Sequence, residues 1–459
     1  MARGNHRPPD RSRLHDRTIF RLRETNRRLV ARGNHRPPGP ERRRGIIHHV
    51  VSSAGRTGCC IVGGGPAGMV LGLLLARAGV QVTILEKHRD FLRDFRGDTV
   101  HASTLTLLDE LGLGKEFAAL LPRWVERVGV QLDSGNFPFA DLTRIPGPHK
   151  HIALIPQWDF LDLLAEAGRA EPSYELIMEA EVVDLVRDGR VRGVAYEHLG
   201  ETYELAADLV VACDGRSSVV CERAGLHPRT FGVPMDVVWF RLPRTEDDPR
   251  GALGRLTRGT MIVLIDRGDY FQVGFVIKKG SYTGLREQGI EHLQDWLTEA
   301  LPWLGDRAQT LRSFDDIRLL TVGLSRLRRW FADGLLCIGD AAHVMSPVGG
   351  VGINLAIQDA VAAARALVPA LRTGSVGTAT LRRIQLRRWW PTLITQSFQR
   401  LAHSSVIAAN LDADHPQDSR KPPLLVAILQ RFPALQALPA TFVGIGVRAE
   451  HAPEFARRS

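Results

Sequence analysis

The sequence predicts an α/β protein in which a parallel-sheet domain is pieced together from separated stretches of chain, with a mostly antiparallel sheet inserted between them. Three observations lead there. An apolar run, residues 59–62, passes through a glycine turn into a helical stretch, residues 67–78, and a second short strand, residues 80–85. That is the strand, helix, parallel strand order of a doubly wound sheet. A run of short alternating strands follows at residues 181–186, 191–198, 236–242, 260–265 and 270–277, the last two joined through Arg267-Gly-Asp269, which reads as a hairpin turn. Then a strand at 334–338 and an Ala-rich helix at 352–371 bring the first texture back.

Composition bounds the function. The chain has 459 residues and is 44% hydrophobic, enough for two or three domains' worth of core. Its net charge of +10 is concentrated: residues 1–56 hold fifteen Arg against four acids, which leaves the body nearly neutral and argues against a nucleic-acid partner. In that region Ala2-Arg-Gly-Asn-His-Arg-Pro-Pro9 recurs as residues 31–38, in a stretch rich in Arg and Pro and without apolar periodicity. Residues 1–56 are therefore expected to be a disordered, dispensable tail. The five cysteines show no metal or disulfide spacing, and no metal is expected. They read as small core residues of a cytoplasmic protein. No run of about 18 uninterrupted apolar residues predicts a spanning helix. The apolar stretch 424–447 is broken by Arg431, Pro433 and Pro439, so short helices packed on the body are expected, with peripheral membrane contact as the alternative.

Three segments carry chemistry. Gly63-Gly-Gly65-Pro66-Ala67-Gly68 fits G-x-G-x-x-G directly after a strand and at the start of a helix, where backbone amides approach a pyrophosphate and the last glycine lets helix and strand pack closely. Glu86 closes the next strand 18 residues after Gly68, placed to accept both hydroxyls of an adenosine ribose and to repel a 2′-phosphate, so the bound dinucleotide is FAD or NAD and not NADP. A second apolar strand runs from Asp208 into Asp214-Gly215-Arg216. A third runs from Leu335 into Gly339-Asp340, a loop containing Pro347 and Gly350, and a helix start at Gly352-Ile353-Asn354. An acid at a strand end can bind a polyol, and free amides at a helix start can hold an electron-rich carbonyl.

At these residues, over about 57–400, the chain resembles the group A flavoprotein monooxygenases, the family of para-hydroxybenzoate hydroxylase. The resemblance implies a Rossmann-like FAD-binding domain with an inserted substrate domain. In such a protein Gly63, Gly65, Pro66, Ala67 and Gly68 would carry the FAD pyrophosphate, and Glu86 with Lys87 beside it the adenosine ribose. Gly339 and Asp340 would bind the ribityl chain, while Pro347, Gly350, Val351, Gly352, Ile353 and Asn354 would line the isoalloxazine ring. Asp214, Gly215 and Arg216 would form the segment associated with both FAD and NAD(P)H; Arg96 and Gln157 resemble the family's cofactor-contacting Arg and Gln. The implied domains are 57–174 and 281–400 for FAD, 175–280 for substrate with 208–218 returning to the FAD domain, and 401–459 as a helical extension.

The reaction so implied uses NAD(P)H and O2 to hydroxylate an aromatic, quinol or polyketide-like small molecule through a flavin hydroperoxide. The alternative is a reductase or dehydrogenase of the same fold without oxygen insertion. A halogenase would carry Trp-x-Trp-x-Ile-Pro, which none of the eight Trp fits. His101 and Arg96 are the candidates for direct catalysis, although a His packed at a helix start and, for His343, support of the loop are the plainer readings. Trp239, Phe240, Tyr270 and Gln272, on strands of the inserted sheet, are candidates for the substrate cavity, with core packing as the competing explanation. A homodimer is compatible with all of this.

Overall fold

The computed structural model describes residues 52–92, 99–249, 251–257, 259–411 and 424–458. Residues 1–51 of the expected tail, and Arg96, lie outside the described residues.

The first sheet has Ser52–Val62 at its centre. This strand runs parallel to Glu201–Ala212 on one side, with Ile61 opposite Val211, and to Val82–Glu86 on the other, with Ile61 opposite Ile84. Tyr174–Met178 extends the parallel array beyond Val82–Glu86, and Leu335–Cys337 extends it beyond Glu201–Ala212. Parallel central strands are buried on both faces, which is why residues 59–62 and 209–212 are continuous apolar runs without alternation. Helix Pro66–Arg77 lies on one face and packs against helices Gly352–Arg372 and Gln157–Arg169. Helix Gly352–Arg372 belongs to a segment, Val348–Arg372, long and apolar enough to cross a membrane, but 78% of its apolar window is buried in this core.

Two sequence expectations change here. Residues 52–56 belong to the central strand, not to the tail, since Ser52 pairs with Tyr203 and Ala54 with Leu205. Backbone pairing needs no apolar side chains, so charge and composition did not reveal it. The strands Ala180–Asp188 and Arg190–His198, read as part of the inserted sheet, pair instead onto Glu201–Ala212 and cover the other face of the first sheet. Val182, Val191, Val194 and Tyr196 meet Cys60, Val62 and Val210 there. A period of two shows that a strand is half-buried; it does not show which sheet buries it.

The inserted sheet has seven strands in the order Arg318–Leu320, Met235–Pro243, Tyr270–Lys278, Thr260–Asp266, Ala252–Thr257, Arg127–Leu132 and Gly135–Asp141. All its pairs are antiparallel except Ala252–Thr257 with Arg127–Leu132. It therefore recruits strands from both sides of residues 175–280. Arg267-Gly-Asp269 is the hairpin turn expected, closed by the Arg267 amide on the Tyr270 carbonyl at 2.9 Å and by the Gly268 amide on Asp266 Oδ1 at 2.8 Å. One face of the sheet, carrying Val238, Phe240, Leu242, Phe271, Val273 and Phe275, is covered by helix Ile290–Ala300 and the turns after it. The opposite face, carrying Val237, Trp239 and Val276, packs against Val348 and Ile407.

Candidate functional site

The first site element is the turn after the central strand. Gly63 has φ +102°, and a β-carbon on it would lie 2.5 Å from the Cys213 carbonyl oxygen, so the turn closes only with glycine. A β-carbon on Gly68 would run into the Gly63 carbonyl oxygen, which fixes how closely helix Pro66–Arg77 approaches its strand. That helix begins with Pro66 and has no side-chain cap, and nothing lies within 4 Å of where a Gly65 side chain would project. Uncapped amides facing open space beside a positive helix end suit a pyrophosphate. Glu86 is buried, and its Oε2 accepts the Gly64 amide at 2.8 Å while Oε1 meets the His88 ring Nδ1 at 2.5 Å and its amide at 3.1 Å. The carboxylate is thus locked beside the glycine turn. Exposed Lys87 lies with His88, Asp90 and Glu179 around an open cleft of about 460 Å³.

The other two motifs converge on this turn. Gly63 is against Cys213 and Asp214, so the Asp214-Gly215 segment crosses the same strand ends. Asp214 Oδ2 accepts the Val220 amide at 3.2 Å, while Oδ1 is buried without a partner, and burial pushes the carboxyl's pKa above its ordinary value. Gly339 packs between Ala67 and Ala356, which places Asp340 near the start of the first helix. Helix Gly352–Arg372 also starts without a side-chain cap. Asn354 Oδ1 accepts both Ser103 Oγ at 2.9 Å and Thr104 Oγ1 at 2.8 Å, so it ties that helix start to helix Ala102–Glu110. The orphaned Asp214 oxygen, the two uncapped helix ends and the open Gly65 face form a donor and acceptor set that fits FAD.

Of the remaining candidates, Gln157 is half-buried in the first turn of helix Gln157–Arg169, and exposed Arg216 donates from Nη1 to the Thr321 carbonyl at 3.2 Å. His101 caps helix Ala102–Glu110, fully buried; its Nδ1 is 2.6 Å from the Val443 carbonyl and its Nε2 faces the Gly350 backbone without closing a hydrogen bond. Burial holds its pKa below 6.5, against the opposing pull of the Val443 and Gly350 backbone. His101 is therefore a His packed at a helix start that also touches the flavin loop. Phe240 leaves the cavity set: it is buried against helix Ile290–Ala300, because neighbours on a strand face opposite ways and Trp239 occupies the other face. Trp239 covers Gly274, and its Nε1 is buried with no acceptor. Tyr270 and Gln272 share that face by register; the Arg241 guanidinium lies 4.8 Å from the Tyr270 ring centroid, and Gln272 Oε1 is occupied by Arg267 at 2.8 and 3.0 Å.

Sequence reasoning missed what supports the flavin loop. Fully buried Asp359, on helix Gly352–Arg372, accepts the Gly339 amide at 3.2 Å and meets His343 Nε2 at 2.6 Å and Arg388 Nε at 2.8 Å. Burial alone would raise its pKa, but His343 and Arg388 hold the carboxyl below its ordinary value. Arg388, on helix Thr378–Ala402, also donates to Gln358 Oε1 and to the Arg448 carbonyl, each at 3.1 Å, and lies 3.5 Å from Glu450. Gln358 reaches the Ile445 carbonyl at 3.0 Å. The C-terminal stretch is thereby drawn across the loop, with helix Ala437–Gly444 seated on Leu142 and Ile145 and Val443 against Gly349. An acid in the apolar run Ala356-Ile-Gln-Asp359-Ala-Val was the available signal.

Comparison with known proteins bears on the family and the fold. The FAD binding domain family (FAD_binding_3) matches residues 56–383. The 6-methylpretetramide 4-monooxygenase of Streptomyces rimosus is 36% identical over 340 residues, 72% of this chain and 80% of that protein. A 12-dehydrotetracycline 5-monooxygenase/anhydrotetracycline 6-monooxygenase of Streptomyces rimosus subsp. rimosus is 30% identical over 66% of this chain, a match that spans only 60% of the relative. Among solved structures, the OxyS anhydrotetracycline hydroxylase of Streptomyces rimosus superposes with a TM-score of 0.66 at 23% identity, covering 87% of this chain and 78% of that one. PqsL of Pseudomonas aeruginosa does so with 0.66 at 21%, covering 78% and 98%. The chain belongs to the FAD binding domain family, as an FAD-dependent oxidoreductase of the group A monooxygenase type with the para-hydroxybenzoate hydroxylase-like fold.

Proposed function

We propose that this protein is the NAD(P)H- and O2-dependent hydroxylase of a polycyclic aromatic polyketide. The observation that carries the substrate class is the Trp239 face of the inserted sheet, which is apolar around Val237, Trp239 and Val276, meets the flavin loop through Val348, and carries a buried indole N–H without an acceptor. An extended aromatic ligand offers that face a flat apolar surface, and its carbonyl or phenol oxygens offer the indole its missing partner. The similarity to the 6-methylpretetramide enzyme supports the same class.

FAD, when bound, supplies the redox and oxygen chemistry, and the protein supplies position and a dry cavity. Gly63 to Gly68 and Glu86 would hold the dinucleotide, Asp340 and Asp214 would take its hydroxyls, and residues 347–354 would border the ring. Helix Ala437–Gly444, apolar from Ala437 to Gly444 apart from Thr441, borders the loop through Val443 beside Gly349. Thr99 Oγ1 donates to the Gly350 carbonyl at 3.3 Å, and His101 ties Val443 to the same place through Nδ1, its pKa lowered by burial.

The test is turnover under labelled oxygen gas with NADPH or NADH and a panel of tetracyclic polyketides, simple phenols and quinols. One labelled oxygen atom in the product of a tetracyclic substrate, with equal uptake of O2 and NAD(P)H, is expected. An unlabelled product, or turnover that proceeds equally well without oxygen, would establish the reductase reading instead.

A further inference from the structure

Three short strands, Pro228–Phe231, Leu324–Leu327 and His343–Val344, form a small sheet in which Arg229 is opposite Arg326 and Arg326 opposite His343. The guanidinium carbons of Arg229, Arg326 and Arg400 lie 5.4, 5.6 and 5.2 Å from the centroid of one ring, Phe231. Three cations from three elements thus meet on one aromatic floor, and among the described residues no carboxylate pairs with any of them. Arg229 and Arg400 are exposed; Arg326 and Phe231 are half-buried. Burial, and then the charges of Arg229 and Arg400, lower the Arg326 pKa, the mark of uncompensated like charge. Attraction to the ring offsets only part of such repulsion.

The cluster is built, not loose. Arg326 Nη1 donates to Gln396 Oε1 at 2.9 Å and its guanidinium lies 4.6 Å from the Trp389 ring centroid. Gln396 is itself fixed by donation to the Ser325 and Val344 carbonyls at 2.8 and 3.2 Å. Helix Thr378–Ala402, which carries Gln396 and Arg400, also carries Gln399, and Gln399 holds the flavin loop by donating to the Ser346 and Val348 carbonyls at 2.8 and 2.9 Å. The cationic cup is therefore one helical turn and a few residues of chain from the loop where a hydride donor must arrive. FAD has its own phosphate cradle at Gly63 to Gly68, and a second nucleotide needs a different anchor.

We propose that Arg229, Arg326 and Arg400 bind the phosphate groups of the nicotinamide nucleotide, with Phe231 as the flat surface beneath them. Guanidinium groups recognise phosphate through charge-assisted, paired hydrogen bonds, which fits arginines and not lysines at this place. The inference rests on the reading that a nicotinamide nucleotide reduces the flavin.

The test uses the FAD-loaded full chain, the single variants Arg229→Ser and Arg400→Ser and their double variant, all at exposed positions. Calorimetric titration with NADP+, NAD+, 2′,5′-ADP and inorganic phosphate gives affinities, and rapid-mixing anaerobic reduction gives the apparent nucleotide affinity separately from the limiting rate. The expected result is at least a tenfold loss of nucleotide affinity in the double variant, a shallower salt dependence, unchanged FAD content and a limiting reduction rate within about twofold. Equal nucleotide affinity in wild type and double variant overturns the proposal, as does a site that takes inorganic phosphate as tightly as the nucleotides. A wild-type protein whose flavin no nicotinamide nucleotide reduces overturns the functional reading as well, so the two failures are distinguishable.

Discussion

Removing the Asp359 carboxylate should loosen both the fold and the flavin loop. Asp359 and Arg388 are both fully buried and 2.8 Å apart, and the other Asp359 oxygen serves His343 and the Gly339 amide. Taking one partner from such a pair leaves a buried charge uncompensated, which costs about 3–5 kcal/mol. In a chain this long, where each kcal/mol moves the midpoint by only about 1 °C, that is a melting temperature lower by about 3–6 °C. Arg388→Met should cost a similar amount, and because the two residues share one network the double variant Asp359→Asn/Arg388→Met should lose less than the sum by more than about 1 kcal/mol. The pH dependence has a definite sign. Since the folded-state pKa of Asp359 is held below its ordinary value of 3.8, its stabilisation is complete above that value and is lost as pH falls through the folded-state value. The carboxylate adds no slope above about pH 5. Thermal and denaturant unfolding of FAD-free and FAD-loaded protein, with flavin release followed by fluorescence, measures each quantity. A single variant that melts within about 2 °C of wild type, or strictly additive losses, would refute the reasoning.

Further expectations follow the same site outward. Asp340→Ala should lose most bound FAD, since a charged acceptor for a hydroxyl pair is worth about 1.5–3 kcal/mol; full occupancy in the purified variant would remove Asp340 from the ribityl site. Trp239→Phe keeps an aromatic side chain and removes the unpaired N–H, so KM for a tetracyclic substrate should rise about five- to tenfold with kcat nearly unchanged; equal KM values would show that substrate does not use the indole N–H. His101 has a folded-state pKa lowered by burial, so the folded state resists protonation and stability should drop as pH falls below about 6.5 towards the folded-state value. In His101→Gln that part of the slope should vanish, as seen in melting temperature against pH. Deleting residues 1–50 should leave FAD content and melting temperature unchanged, and a large drop would show that this Arg-rich stretch packs on the body.

The motifs by themselves narrowed the cofactor to a dinucleotide, FAD or NAD, and the family resemblance they carry narrowed it to FAD, because a glycine turn between strand and helix, an acid closing the next strand and a Gly-Asp step at a third strand end are local patterns whose geometry is set by neighbouring residues. Gly63, Gly68 and Glu86 stand where their spacing placed them, and so do the ends of most strands. Tertiary structure decided everything that depends on which face meets which. Alternation at 180–198 could not show that those strands back the first sheet, and Trp239 and Phe240 look equivalent until one is seen against Val348 and the other against helix Ile290–Ala300. The Asp359, Arg388 and Glu450 network joins residues up to 91 positions apart, and the cationic cup joins Arg229 to Arg400. Contacts between charges so distant along the chain leave no periodicity in it. They arise only when packing brings the helices and strands together, and burial then fixes which charges must be paired.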